Sequence, residues 1–324
     1  MLRLVLVLTA MIVALLGLGS SACRSAGRRA LSSNSSLAVN TTPASTIETV
    51  DAELTERLKT LCTSAQGDIG VAVIHVETSR TALIDGIKQL PLYSVFKLPL
   101  AVTVLKDVEE KKFVLDKKVH VTPDEVAPGA QFNTDLWRQP VDKTVAELLE
   151  FSIVRSDNTS SDKLLQLVGG PAAVTGRMRS LGFSNIDIQY TVREFAARRD
   201  KPNTGTASDL AHLLAQLQKG EILQQPQLEL LLGFMARSMT GGERRLRADL
   251  PAGTPVADKT GTGEPGSSTN DVGLITLPEG KGHLAIAVLL SGSKLPVAAQ
   301  EKVIAQLARA AYDSYVTPPA PGAE

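Results

Sequence analysis

Strand signals lie at both ends of this chain and helical periodicity fills the middle, and this distribution limits the folds open to it. The strand signals, rich in β-branched residues, cover 70–76, 81–84, 256–260, 272–277 and 284–290. Apolar residues at helical spacing predict an opening helix, a closing helix and five helices between them, at 47–65, 297–315, 141–154, 161–168, 171–181, 207–217 and 227–239. The predicted fold class is α+β: one antiparallel sheet built from both chain ends and flanked by the terminal helices, with an all-helical domain inserted. A ligand site would then lie in the cleft between the sheet and the inserted domain.

The two ends of the chain do not have the composition of a folded domain. Residues 1–22 have a positive start, an apolar run and small residues for cleavage, which is typical of a secretory signal peptide. Cys23 follows directly and resembles the lipid-attachment cysteine of a bacterial lipoprotein, although Ser20 stands where such signals usually carry Leu. The alternative is simple cleavage nearby. We therefore predict an exported protein of the periplasm or cell envelope, with or without a lipid anchor.

The folded domain follows a tether that is poor in large apolar groups. Residues 23–46 cannot bury enough apolar surface to offset chain entropy, so we predict a flexible linker. No later apolar run is long enough to span a membrane. We expect the domain at 47–317, with its α/β part at 47–90 and 240–317, its helical part at 91–239 and a disordered tail at 318–324.

Charge and cysteine content exclude several functions. The 34 basic residues balance the 34 acidic ones, so the chain has no long-range attraction for phosphates, and nucleic-acid binding is not expected. Two cysteines are too few for a disulfide framework or a cysteine zinc site. The four histidines are scattered without ligand spacing, so we predict no metal site and no cofactor.

Ser94-Val95-Phe96-Lys97 is the first candidate for chemistry. An S-x-x-K spacing places the serine and the lysine one turn apart on the same helix face. A lysine kept neutral by burial can take the serine proton, and a helix N-terminus favours the oxyanion that forms. The same spacing occurs at Ser160…Lys163 and at Ser291…Lys294. We interpret both as chance matches, because only Ser94 opens a helix with a continuous apolar stripe.

Two further motifs follow along the chain. Ser156-Asp157-Asn158 stands between two predicted helices, where helix capping is the simplest explanation. Lys259-Thr260-Gly261-Thr262-Gly263 ends a strand signal, where a glycine turn is the simplest explanation. A strand edge can also align its backbone with a substrate amide while Lys259 attracts a substrate carboxylate. Each motif is weak alone, but all three in this order, on a helix start, a helix loop and a strand, indicate one site.

These three motifs together are typical of class A β-lactamases and penicillin-binding proteins. The chain closely resembles the class A serine β-lactamases over nearly its whole folded body. The stretches that carry the resemblance are 70–73, 94–100, 156–159, 250–253, 258–263 and 269–271. The resemblance implies the α+β fold with an inserted helical domain. It also implies a monomer that hydrolyses small-molecule β-lactams, confers β-lactam resistance and needs no cofactor.

The resemblance also implies a role for each motif residue. Ser94 would attack the lactam carbonyl to form an acyl-enzyme, Lys97 would manage its proton, and Ser156 would pass a proton to the leaving nitrogen. Lys259 would support that transfer and bind the substrate carboxylate, and Asn158 would hold the side-chain amide. The other substrate-binding residues implied are Thr260, Gly261, Thr262 and Arg245, with the backbone N–H groups of Ser94 and Thr262 as the oxyanion hole. For Arg245 the alternative is a solvated cation at a helix end or in a loop.

Deacylation is where the sequence departs from the resemblance. The family uses a Glu in an omega-shaped loop to activate water, and Glu194 is the candidate by its spacing from Ser156. The usual Leu-Asn after this Glu is replaced by Ala197-Arg198, and the loop before Thr206 is a few residues short. The alternative for Glu194 is an exposed acid paired with a nearby Arg.

Two other functions therefore stay open beside hydrolysis. One is a D-Ala-D-Ala peptidase or a slow, acyl-trapping penicillin-binding hydrolase. The other is a non-catalytic envelope protein that binds peptidoglycan or a partner.

Overall fold

The computed structural model of this chain describes residues 49–129, 134–198, 202–264 and 267–316. The predicted signal peptide, the linker with Cys23 and the C-terminal tail lie outside the described residues. No helix in the described ranges combines the length and apolarity needed to cross a membrane.

The secondary structure follows the predicted order, with strands at both ends and helices between them. The helices of the described residues are α1 (Ala52–Cys62), α2 (Lys97–Glu109), α3 (Val145–Val154), α4 (Asn158–Val168), α5 (Pro171–Ser180), α6 (Val192–Arg198), α7 (Ala207–Gln218), α8 (Gln225–Ala236) and α9 (Val297–Val316). The strands are β1 (Thr49–Val50), β2 (Asp68–His75), β3 (Arg80–Ile84), β4 (Leu90–Pro91), β5 (Lys118–Val121), β6 (Val141–Thr144), β7 (Thr204–Gly205), β8 (Val256–Thr262), β9 (Ser268–Thr276) and β10 (His283–Ser291).

The main sheet takes strands from both ends of the chain. Within the described residues its order is β1-β3-β2-β10-β9-β8. Every neighbouring pair is antiparallel except β1 with β3, which is parallel. The predicted α+β class and the sheet built from both ends are confirmed. Strand β8, which carries the Lys-Thr-Gly motif, forms one edge of this sheet and is therefore free to meet a ligand.

The central strands are buried on both faces. On β10, Leu284, Ile286 and Val288 belong to the core shared with α1 and α9, whereas Ala285 and Ala287 belong to the core of the helical part. Helix α7 packs against the sheet on that second side. Burial on both faces explains why these strands appear in the sequence as continuous apolar runs.

The chain enters the fold slightly differently from the prediction of a helix over 47–65. Thr49–Val50 pair with β3 as a short strand, and Asp51 then caps α1 by accepting a hydrogen bond from the Leu54 N–H (3.1 Å). A capping carboxylate of this kind sets where a helix can begin. Leu54 and Leu58 face the core, as their spacing predicts.

In the inserted part, as far as its residues are described, the helices are joined by two short strand pairs, β4 with β7 and β5 with β6. Residues 141–144, predicted as the start of a helix, are β6. Helix α3 begins only at Val145 because the Thr144 hydroxyl accepts from the Glu147 N–H (3.2 Å) while the Glu147 carboxylate accepts from the Thr144 N–H (2.8 Å). This capping box was visible in the sequence and explains the later start of the helix.

Candidate active site

A cleft of about 670 Å³ lies beside the β8 edge of the sheet, and its volume is in the range of small-molecule sites. Its walls come from the start of α2, the loop between α3 and α4, helix α6 and the end of β8. The structure brings several of the predicted residues to this one cleft: Ser94, Ser156, Asn158, Thr260 and Thr262.

Ser94 lies in a 3₁₀ turn, Tyr93–Phe96, that leads directly into α2. The Asn270 side chain on β9 donates hydrogen bonds to the Pro91 carbonyl (2.8 Å) and the Leu92 carbonyl (3.2 Å) just before this turn. Tyr93 has a φ of +45°, which is uncommon for a bulky residue. The serine is therefore presented by a backbone that neighbouring strands hold in place.

Gly261 lets strand β8 come close to the same segment. A Cβ at this position would lie 2.5 Å from the Leu92 carbonyl oxygen and 3.2 Å from the Val95 nitrogen. Any side chain here would push the strand away from the turn that carries Ser94. The glycine of the Lys-Thr-Gly motif is thus required by packing.

Lys97 lies beneath the cleft and is fully buried. Its Nζ donates to the Ser156 carbonyl (2.5 Å), the Ser156 hydroxyl (3.0 Å) and the Asn158 Oδ1 (2.7 Å). Burial lowers the pKa of Lys97 well below its ordinary value, and the positive charge of Lys259 lowers it further. A buried amine with a lowered pKa can exist unprotonated near neutral pH, which a proton acceptor requires.

Ser156 occupies the short connection between α3 and α4 with a φ of +54°. The next residue, Asp157, caps α4: its Oδ1 accepts from the Ser160 N–H (2.6 Å), and its Oδ2 accepts from the Trp137 indole (3.2 Å). The Ser156-Asp157-Asn158 motif can therefore cap a helix and contribute to the site at the same time. The aspartate caps a helix, and the cap fixes the two flanking side chains toward the cleft.

Lys259 approaches Ser156 from the opposite side. Its Nζ donates to the Ser156 hydroxyl (3.2 Å) and to the Thr260 carbonyl (2.9 Å). Burial lowers the pKa of Lys259 to about 8, although the nearby carboxylates of Asp258 and Asp271 act in the other direction. Two amines thus meet at one hydroxyl, and the arrangement can move a proton between them.

The Ser160…Lys163 and Ser291…Lys294 pairs have other roles. Ser160 is buried and donates its hydroxyl to Asp157 (2.7 Å), while Lys163 forms an ion pair with Glu125 (2.7 Å). Ser291 donates its hydroxyl to the Ser267 carbonyl (3.2 Å). Neither pair is at the cleft, in agreement with their interpretation as chance matches.

The end of β8 supplies further hydroxyl groups. The Thr260 hydroxyl lies 2.6 Å from the Thr240 hydroxyl and donates to the Thr240 carbonyl (3.0 Å). Thr240 also lines the cleft, but it follows α8 and no motif marked it in the sequence. Thr262 is exposed at the mouth, where its hydroxyl accepts from Arg245 (2.8 Å).

Arg245 is buried, with an exposed fraction of 2%, so its interpretation as a solvated cation is wrong. Its guanidinium donates to Thr262, to the carbonyls of Asn270 (2.9 Å) and Gly261 (3.3 Å), and to Glu301 (3.3 Å). It is not among the residues that line the cleft. Arg245 therefore supports the end of β8 from behind, and its contact with a residue of the cleft is the bond to the Thr262 hydroxyl.

We predict that Arg245→Ala lowers the free energy of unfolding by about 2–3 kcal/mol, because the buried carboxylate of Glu301 keeps only the exposed Arg244 as a charged partner and two strand carbonyls each lose a buried donor. Urea unfolding followed by circular dichroism measures the change. Arg244→Ala is the matched control: Arg244 also binds Glu301 (3.1 Å), but its side chain is 59% exposed, so we expect a loss of at most about 1 kcal/mol. Equal small losses in the two variants would contradict the supporting role of Arg245.

Glu194, the predicted deacylation base, is not among the described residues that line the cleft. Its carboxylate is exposed and accepts from the Thr191 N–H (2.9 Å), while the Thr191 hydroxyl accepts from the Glu194 N–H (3.2 Å). This is a capping box at the start of α6. The residues of α6 that line the cleft are Val192, Phe195 and Ala196, which share one helix face. Glu194 lies on the other face.

Two aromatic residues at the cleft were missed by the sequence analysis. Tyr93 precedes the nucleophile candidate, and its ring meets the edge of Phe195 at 5.9 Å between centroids. The apolar spacing of Val192, Phe195 and Ala196 was available as a signal. The left-handed backbone that turns Tyr93 toward α6 was not, because no glycine or asparagine marks it.

In the described part of the chain, no group of three or more His, Cys, Asp or Glu side chains is arranged to hold a metal ion.

Comparisons with known proteins agree with this fold and cleft. A sequence profile of the beta-lactamase enzyme family matches residues 53–315. The extended-spectrum beta-lactamase PER-1 of Pseudomonas aeruginosa is 32% identical over 271 residues, which cover 80% of this chain and 86% of that protein. The crystal structure of a beta-lactamase from Chitinophaga pinensis superposes with a TM-score of 0.77 at 32% identity, covering 81% of this chain and 99% of the other. An ancestral class A beta-lactamase superposes with a TM-score of 0.74 at 33% identity, covering 81% and 99%.

The α+β fold of this chain, a sheet with an inserted helical part, is thus shared with a class A beta-lactamase. The chain belongs to the beta-lactamase enzyme family.

Proposed function

We propose that this protein is a serine β-lactamase, in which Ser94 opens the β-lactam amide, carries the product as an ester and releases it to water. One observation carries the proposal: two fully buried lysines, Lys97 and Lys259, meet at the Ser156 hydroxyl, and Ser156 and Ser94 line one cleft. Burying amines costs free energy, and a protein that only binds a partner gains nothing from that cost.

Acylation requires the unprotonated form of Lys97, which can donate only two of the three hydrogen bonds that its Nζ makes here, and it begins with transfer of the Ser94 proton to that amine. The Ser94 oxygen bonds to the lactam carbonyl carbon, the carbon–nitrogen bond breaks, and Ser156 donates a proton to the leaving nitrogen. The hydrogen bond from Lys97 to Ser156 (3.0 Å) supports return of a proton to Ser156. Backbone N–H groups of Ser94 and Thr262, at two walls of the cleft, would stabilise the oxyanion.

Substrate binding would use groups from the end of β8 and from the start of α4. The hydroxyls of Thr260 and Thr262 line the cleft and suit the carboxylate that β-lactams carry, and the buried ammonium of Lys259 would attract that carboxylate from beneath the cleft. Asn158 donates its amide to the Pro128 carbonyl (2.8 Å) and accepts from Lys97. These bonds hold the Asn158 side chain at the cleft wall, where it would contact the substrate side-chain amide.

We predict that the acylation rate falls above about pH 8. The pKa of Lys259 is lowered to about 8, so its ammonium is present below that pH and lost above it. Without this charge the substrate carboxylate loses its electrostatic attraction, and the hydrogen bond from Lys259 to the Ser156 hydroxyl weakens. Stopped-flow acylation by a penicillin between pH 6 and 10 measures the profile. Lys259→Arg keeps its charge throughout and should lose the alkaline limb, whereas an unchanged limb would assign the titration to another group.

The proposal extends to where the protein works. The signal pattern of residues 1–22 supports export to the periplasm or cell envelope, and Cys23 would supply the lipid anchor if it is kept. We propose a monomer, as the resemblance to class A serine β-lactamases implies.

The test of function is ring opening together with covalent mass. We expect a chromogenic cephalosporin to change absorbance on mixing with the protein, and benzylpenicillin to add its whole mass, because ring opening expels no atoms. Protein unfolded in urea is the control. If several β-lactams gave neither ring opening nor a mass change, that result would contradict the proposal and would favour a non-catalytic envelope protein.

A further inference from the structure

Helix α6 faces the cleft with hydrocarbon. Val192, Phe195 and Ala196 line the cleft from this helix, and the rings of Phe195 and Tyr93, which also lines the cleft, meet edge to face. These four residues are called here the α6 wall. Ser94, Ser156 and Asn158 line the same cleft, so an acyl group on Ser94 would lie in a space that this wall helps to close.

The orientation of α6 is fixed by a buried carboxylate. Asp162 on α4 is 3% exposed and accepts from the N–H groups of Val192 (2.7 Å) and Arg193 (3.0 Å). These two bonds hold the first turn of α6 by its backbone. A rotation that carried Glu194 into the cleft would break both bonds and leave Asp162 buried without donors.

The segment before α6 is held in a similar way. The Asn203 side chain accepts from the N–H groups of Gln189 (2.9 Å) and Tyr190 (3.0 Å), and donates to the Tyr190 carbonyl (3.0 Å). Asn203 is 8% exposed. The helix is therefore clamped at its first turn and just before it, and its apolar face is held toward the cleft.

The charged side chains of α6 lie on its outer face. Glu194 caps the helix, Arg193 is exposed, and the Arg198 guanidinium lies over the Tyr190 ring at 5.5 Å from its centroid. Glu264 is the one carboxylate among the described residues that line the cleft, and it stands exposed beyond the end of β8.

Hydrolysis of an ester needs an activated water. The water oxygen must bond to the ester carbonyl carbon, the bond from that carbon to Ser94 Oγ must break, and Ser94 must regain a proton while water loses one. A base within hydrogen-bond reach of the water speeds this step by about 10²–10⁴-fold. Hydrocarbon side chains cannot accept the proton, and they keep water from their side of the ester.

We propose that the α6 wall makes release of the acyl group the slow step, so that a β-lactam opens rapidly on Ser94 and the ester is released to water only slowly. This inference rests on the proposed function, because it concerns the fate of the same acyl-enzyme. It makes Val192, Phe195 and Ala196 residues that set the turnover rate without taking part in acylation.

Val192 is the position at which to test the wall. It is the first residue of α6, its N–H is held by Asp162, and a carboxylate is favoured in the first turn of a helix. Val192→Glu would place a proton acceptor at the cleft. The glutamine of Val192→Gln has the same shape as the glutamate but no carboxylate, so this variant is the matched control for packing and folding.

The experiment follows the intact mass of the protein after mixing with benzylpenicillin, together with ring opening of a chromogenic cephalosporin. For the natural chain we expect about one equivalent of rapid ring opening and then a slow phase, with the adduct persisting. Val192→Glu should keep the rapid phase and shorten the lifetime of the adduct by at least about 10-fold. Val192→Gln should also keep the rapid phase, but its adduct should live as long as that of the natural chain. Equal rapid phases in the three proteins show that all are folded and acylated.

Glu194→Gln should leave the rapid phase and the adduct lifetime unchanged within about two-fold, because this carboxylate caps α6 from outside the cleft. The same mass time course measures it. A marked lengthening of the adduct lifetime in this variant would place Glu194 in the reaction.

The outcomes separate the inference from the function beneath it. Fast continuous hydrolysis by the natural chain, or an adduct that disappears within the mixing time, overturns the inference and leaves the serine β-lactamase intact. Equal adduct lifetimes in Val192→Glu and Val192→Gln also overturn it. Absence of both adduct and ring opening overturns the proposed function, and the inference falls with it.

Discussion

Ser94→Ala is expected to lower the rate of β-lactam ring opening by about 10⁵–10⁶-fold, to the level that binding and the oxyanion groups alone can provide. Ser94 supplies the oxygen that forms the ester, and the methyl group of alanine cannot replace it. The substitution removes one hydroxyl at the cleft wall and leaves the core intact, so the free energy of unfolding should change little. Stopped-flow absorbance with a chromogenic cephalosporin gives the rate.

Ser291→Ala is the matched control for this prediction. Ser291 also stands three residues before a lysine, but its hydroxyl binds the Ser267 carbonyl, and it does not line the cleft. We expect ring opening at the natural rate. Equal rates in Ser94→Ala and the natural chain would show that another group carries the reaction.

Lys97→Met is expected to lower the acylation rate by about 10²–10⁴-fold, the range typical of general acid–base catalysis. Methionine fills a similar volume but cannot accept the Ser94 proton. The buried Ser156 carbonyl and the Asn158 Oδ1 would also lose their donor, so the unfolding free energy must be measured alongside the rate. The relevant quantity is the rate of adduct formation in protein that is still folded.

Lys294→Met tests whether the effect is specific to the buried amine. Lys294 is exposed and belongs to the second chance match, so its loss should leave acylation unchanged. A Lys97→Met protein that folds and acylates at the natural rate would contradict the role of Lys97 and point to Lys259 as the proton acceptor.

The parts of the fold that the sequence predicted best are those in which one physical signal dominates. Continuous apolar runs on β2, β9 and β10 mark strands that are buried on both faces, and helical spacing marks α7 and α9. Helical periodicity was a weaker guide to where the helices begin. Residues 141–144 became a strand because Thr144 caps the helix that follows, and Thr49–Val50 pair with β3 through backbone bonds that side-chain periodicity does not report.

The site divides in the same way. Motif spacing restricts where side chains can point, and it predicted four residues of the site: Ser94, Lys97, Ser156 and Lys259. The two lysines are hydrogen-bonded to the Ser156 hydroxyl, and Ser156 lines one cleft with Ser94. Glu194 was assigned by distance along the chain alone. The direction in which it points depends on the rotation of α6, which Asp162 sets from thirty or so residues away.

Arg245 shows why a residue type near a motif does not define a contact. Its charge is consistent with carboxylate binding, but two strand carbonyls and Glu301 take up most of its donors. Those partners come from β8, β9 and α9, and their meeting at one guanidinium is a property of the folded structure.

The central claim is that Ser94 becomes an ester, and tandem mass spectrometry of the acylated protein tests it most directly. The protein is mixed with benzylpenicillin, quenched in acid, digested and fragmented until the modified residue is assigned. We predict one added benzylpenicillin mass on Ser94. A modification on Ser156, Lys259 or any other residue, or an unmodified Ser94 in protein that has opened the ring, would contradict the account.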